Sequence, residues 1–69
     1  MSQELVYEIS SAERAERIVD ALTGDGYRVY PAPSPEIGKV RVYIDATSDL
    51  RQTVEGVVTQ HDLEAVAIL

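Results

Sequence analysis

The chain has 69 residues, 12 acidic against 6 basic side chains, a formal net charge of -6 and no cysteine. A chain this short is one domain, 1–69, and chains of this size commonly lean on disulfides, a metal or a partner. Without cysteine, and with His61 as the one histidine, a disulfide frame and a Cys/His zinc site are excluded, so a partner chain is the expected support.

The acidic balance opposes direct binding to nucleic acid or to an anionic membrane, because phosphate recognition needs clustered Lys and Arg. Low lysine with excess acid suits a high-salt cytoplasm as well as ordinary solubility. Met1-Ser2-Gln3-Glu4 lacks the positive start and apolar stretch of a secretion signal. No apolar run nears the ~20 residues of a membrane span. The expected location is cytoplasmic, with no membrane attachment.

In chain order, Leu5-Val6-Tyr7-Glu8-Ile9 alternates with Leu5, Tyr7 and Ile9 on one face, which predicts a strand. Ser10 with Glu13 has capping-box spacing. Ala12, Ala15, Ile18, Val19 and Leu22 then form one apolar helical stripe. Glu13 and Arg17 make a favourable pair on the other face, Gly24 stands where a helix-ending glycine belongs, and Asp25-Gly26 completes the turn.

Tyr27-Arg28-Val29-Tyr30 predicts a second strand. Pro31 to Gly38 follows, with three prolines in five positions, and is read as an irregular hairpin loop, a stiff connector or a recognition loop. From Lys39 to Asp45 the alternation is clean: Val40, Val42 and Ile44 on one side, Arg41, Tyr43 and Asp45 on the other. A second helix starts near Ser48 with Leu50, Val54, Val57 and Val58 as its stripe. Gly56 costs about 1 kcal/mol there relative to Ala, which suggests close approach of another element. The tail from Asp62 to Leu69 reads either as a continued helix or as a strand in which Val66 and Ile68 alternate with Ala65 and Ala67.

The expected fold is therefore an α+β two-layer sandwich, an antiparallel sheet with both helices on one face. Its order is β-α-β-β-α, or the ferredoxin-like order if the tail adds a fourth strand.

Several chemistries are missing. Acylphosphatase-like hydrolysis needs an Asn to orient water, and the chain has none. Heavy-metal-associated domains need a Cys pair. The basic-aromatic signature of RNA-recognition domains is absent. His61 has no third group at a familiar spacing to make a nucleophile-base pair. Neither catalytic, metal-binding nor cofactor-binding residues are expected, and the chain is read as no enzyme. What remains is surface: Val6, Arg28, Tyr30, Arg41 and Tyr43 should share the helix-free face of the sheet. Tyr and Arg are enriched at interface cores.

Two segments carry a resemblance. Ser11-Ala12-Glu13-Arg14-Ala15-Glu16-Arg17-Ile18-Val19-Asp20-Ala21-Leu22, with Asp25 shortly after, resembles the first helix of the small dimerisation subunit of the KEOPS complex. Val40 through Val54 is similar to that family's last strand, linker and the Leu-Arg pair opening its final helix. Glu55 and Gly56 stand where the family commonly has Asn-Ser. The resemblance implies a non-catalytic, dimerising scaffold subunit of a complex that makes threonylcarbamoyladenosine in transfer RNA. Its partners would be another small subunit and the catalytic subunit, its last element a helix, and Leu50, Arg51 and Val54 its candidate partner contacts. With a terminal strand instead, the chain resembles the ACT domain, a regulatory small-ligand-binding module usually fused to an enzyme. Ser10-Ser11 then replaces the Asp and Pro-Gly typical of that family's ligand loop.

Overall fold

A computed structural model describes residues 2–68. Strand β1 (Ser2–Ile9) leads into helix α1 (Ala12–Gly24), strand β2 (Arg28–Pro33) and strand β3 (Val40–Thr47). A single 3-10 turn (Ser48–Leu50) opens helix α2 (Arg51–His61), and a two-residue strand β4 (Val66–Ala67) ends the fold. The sheet order is β2-β3-β1-β4 with every neighbouring pair antiparallel. This is the expected small α+β sandwich, in its ferredoxin-like β-α-β-β-α-β form.

The core follows from the two periodicities. Leu5, Tyr7 and Ile9 of β1 and Val42, Ile44 and Ala46 of β3 face the helices at every second residue. Ala15, Ile18 and Leu22 of α1 and Val54 and Val58 of α2 close over them. Full burial of each large aliphatic side chain is worth about 2 kcal/mol, so this cluster sets the stability of the fold.

Four local readings are corrected. Ser11, not Ser10, caps α1, its hydroxyl accepting from the Arg14 N–H at 3.3 Å. The glycine that turns the chain after α1 is Gly26, at φ 94°, rather than Gly24. The Gly26 and Tyr27 N–H groups donate to the Thr23 and Leu22 carbonyls, which is the Schellman arrangement. Pro31 to Pro33, read as irregular, extends β2 instead. β2 lies at the sheet edge, where the missing N–H of a proline breaks no interior ladder. Finally, a Cβ on Gly56 would meet nothing within 4 Å, so no element approaches it closely.

The tail is a strand rather than a continued helix, and the decision is made at Asp62. Its N–H still donates to the Val58 carbonyl, but its backbone is extended (φ -151°, ψ 102°). Its side chain, buried at 1% exposure, is held from across the molecule by Ser10 and Arg14. Continuing the helix would withdraw that carboxylate from its donors. A turn closed by the Ala65 N–H on the Asp62 carbonyl then brings Val66 and Ala67 beside Glu8 and Tyr7. Leu69, the end of this segment, lies outside the described residues.

Candidate functional site

The molecule has two unlike ends and one open sheet face. At the first end, β1 runs into α1 and α2 runs into β4. There the Ser10 N–H donates to Asp62 Oδ2 at 2.8 Å and the Ser10 hydroxyl to Oδ1 at 2.9 Å. Arg14 Nη1 and the Glu64 N–H each reach Oδ1 at 3.1 Å. Burial pushes the Asp62 carboxyl up, but these donors outweigh it and hold the group below its ordinary value. Every polar group in this cluster is used on another. His61 ends α2 half-buried beside it.

At the opposite end a cleft of about 350 Å³ opens between the α1–β2 turn and the β3–α2 connection. Asp25 and Arg28 lie on one side, Thr47 and Leu50 on the other, with Tyr27 half-buried between them and Asp45 at the margin. Asp25, Arg28 and Asp45 form none of the ion pairs among the described residues. The cleft thus offers a guanidinium, carboxylates, a hydroxyl and an apolar wall, with none of these charges in an ion pair among the described residues.

The helix-free sheet face gathers four of the expected contact residues, Arg28, Tyr30, Arg41 and Tyr43, in three cross-strand rows. The middle row is Tyr30, Tyr43 and Val6, continued by Ile68, whose N–H donates to the Val6 carbonyl at 2.7 Å. The Tyr30 and Tyr43 rings stack at 5.3 Å and 3°. One flanking row is Ala32, Arg41, Glu8 and Val66; the other is Arg28, Asp45 and Glu4.

Val6, expected to be exposed here, is only 2% accessible because Tyr43 and the β4 segment flank it. The face also binds its own charges. The Tyr30 hydroxyl donates to Glu4 Oε2 at 2.8 Å, and the Ser34 hydroxyl donates to Glu8. That bond, with Arg41 and Lys39 nearby, holds the Glu8 carboxyl below its usual range against the effect of burial.

Of the other contact candidates, Leu50 and Arg51 are exposed at the start of α2, whereas Val54 is wholly buried in the chain's own core. Among the described residues two buried side-chain atoms have no hydrogen-bond partner, the Tyr7 hydroxyl and Arg41 Nε on the open face. Arg41 Nε stands 3.6 Å from Glu8 Oε1, too far for a hydrogen bond.

Among the described residues no group of three or more His, Cys, Asp or Glu side chains could hold a metal ion. No helix among them is long and apolar enough to cross a membrane. The sequence matches no protein-family model, and no curated protein matches it.

Sequence reasoning passed over Asp25 as a turn residue. The available signal was Asp25 and Arg28, opposite charges bracketing Gly26-Tyr27 with no i,i+4 partner of their own.

Proposed function

We propose that this chain is a non-catalytic, ACT-like regulatory module that binds a small zwitterionic ligand of the α-amino-acid class. The observation that carries the reading is the cleft beside the Schellman turn, where Arg28 and Asp25, of opposite charge and in no ion pair among the described residues, stand with Tyr27 and Leu50. A guanidinium pairs with a carboxylate in a fixed fork geometry, and a carboxylate takes an ammonium group. The apolar wall suits an aliphatic or aromatic side chain.

The strand order β2-β3-β1-β4 supplies the frame that the ACT resemblance requires. The departure at Ser10-Ser11 has a physical counterpart. Ser11 caps α1 and Ser10 is bound to Asp62, so neither hydroxyl is available for a ligand at that end.

The scaffold role that the KEOPS-like resemblance implies loses two of its supports, the final helix and Val54 as a contact. What it keeps is Leu50 and Arg51, exposed at the start of α2, and beside them the open face of Arg28, Tyr30, Arg41 and Tyr43 that the residue pattern itself offers a partner.

Thermal melts against a panel of free amino acids test the ligand reading. A ligand at a hundred times its Kd raises stability by about 2.7 kcal/mol, a shift of several degrees in so small a domain. Arg28→Ala and Asp25→Ala should each abolish the shift without lowering the unliganded melting temperature appreciably. If no amino acid raises the melting temperature, the reading fails.

A further inference from the structure

The helix-free face carries a second, separate property: it is self-complementary. Along β3 its outward residues read Arg41, Tyr43, Asp45, a positive and a negative charge placed symmetrically about a tyrosine. Neither charge is fully satisfied within the chain. Asp45 forms none of the ion pairs among the described residues, and buried Arg41 Nε, in an ion pair with Glu8 Oε1 at 3.6 Å, has no hydrogen-bond partner. The row through Tyr43 carries no charge from edge to edge, with Tyr30 and Ile68 at 51% and 40% exposure on a face that no helix covers, and Val66 of the neighbouring row is exposed beside it.

We propose that two copies of this chain pair face to face through this surface, about a two-fold axis that crosses the strands at Tyr43. That axis runs β3 of one copy antiparallel to β3 of the other. Each Asp45 then faces Arg41 of the second copy, and the two charge pairs form twice by symmetry. The tyrosine stack lies over its counterpart, and Ile68 over its own. The same axis brings Glu4 toward Glu8 of the second copy. Each carboxylate already accepts a hydroxyl donor inside its own chain, from Tyr30 and Ser34. The two like-charge contacts equal the two Arg41–Asp45 pairs in number, so the uncharged tyrosine row has to carry the pairing.

The area places the contact among size classes. Strands ~4.8 Å apart with ~3.3 Å per residue give a face of roughly 400 Å² before side-chain relief. A pair therefore hides on the order of 900 Å², below the range of stable interfaces and within that of weak ones. Self-association is accordingly weak and concentration-dependent.

Sedimentation velocity on the ligand-free protein, from a few micromolar to a millimolar, tests this independently of the cleft. The expected result is a monomer–dimer equilibrium that Asp45→Lys weakens at least tenfold by setting Lys against Arg41. Leu63→Lys, an exposed control in the turn before β4, leaves the equilibrium unchanged. An equimolar mixture of Asp45→Lys and Arg41→Glu chains recovers the association that each lacks, because both cross-pairs are then opposite in sign. Circular dichroism checks that each variant folds, and if Arg41→Glu does not, the Asp45→Lys result still decides. A monomer across the whole range, which leaves the face to a different partner, overturns the proposal. So does a dimer indifferent to Asp45→Lys.

Discussion

Where β1 meets α1, Asp62, Ser10 and Arg14 satisfy one another; at the other end, Asp25 and Arg28 face a cleft and form no ion pair among the described residues. Both ends carry charge on short connections, yet only the second has charge to offer a ligand. A buried carboxylate with four donors is bound to structure. An exposed pair of opposite charges beside an apolar wall is bound to nothing. The contrast separates the residues that hold the fold from those that recognise something else.

The sharpest way to break the contrast is to remove its structural half. Asp62→Ala leaves the Ser10 N–H and hydroxyl, the Glu64 N–H and part of the Arg14 charge without their acceptor. Hydrogen bonds to a charged group are each worth ~1.5–3 kcal/mol, and stranded donors cost more, so a loss of about 3 kcal/mol is expected. Urea unfolding should show it as a large drop in midpoint. The opposite-end variant Asp25→Ala should move that midpoint by less than about 0.5 kcal/mol, as surface changes away from such contacts do. Equal losses at the two ends would erase the distinction.

Acid probes the same cluster more gently. The Asp62 carboxyl is held below its ordinary value, so the folded state binds its proton less readily than the unfolded chain does. Its contribution is present above the unfolded value, about 3.9, and is lost as pH falls through the folded one. Glu8, shifted in the same direction, adds to the acid loss. The slope of stability against pH below about 4 should therefore be steeper in the native chain than in Asp62→Asn, which keeps Glu8 but has no charge at 62. Parallel slopes would mean that the four donors do not favour the charged form.

How much of this was legible in sequence divides along the same line. The β3 alternation and the α1 stripe are local patterns, and the structure follows them. The tail is not local. Its choice between helix and strand is made by Ser10, 52 residues away in sequence, which no periodicity registers. The prolines of β2 misled for a related reason, because a proline is excluded from a strand only when both sides of that strand are paired. At the cleft, Arg28 and Leu50 were singled out as contact residues. They could not be joined to Asp25 until the sheet brought the α1–β2 turn beside the β3–α2 connection. The open face was the most legible of all, since period-two alternation assigns Arg41 and Tyr43 to it directly. Its concealed Val6 was not, because the covering comes from the fourth strand, which the sequence left open against a continued helix.

The smallest expected effect tests the region between the two ends. Gly56 lies inside α2, exposed, with open space where a side chain would project. Its φ is not positive, so an alanine adopts the same backbone without strain. Glycine in a helix interior costs about 0.8–1 kcal/mol relative to alanine, chiefly because the unfolded chain loses more freedom on folding. Gly56→Ala should therefore stabilise the domain by nearly that amount, seen as a rise of a few degrees in melting temperature. Because α2 joins the cleft to the Asp62 cluster, the same variant asks whether α2 must give for a ligand to enter. A stabilised variant that keeps the full amino-acid shift makes α2 a rigid spacer between the two ends. A stabilised variant that loses the shift makes its glycine a functional weakness, and the two ends are then coupled through the helix rather than independent.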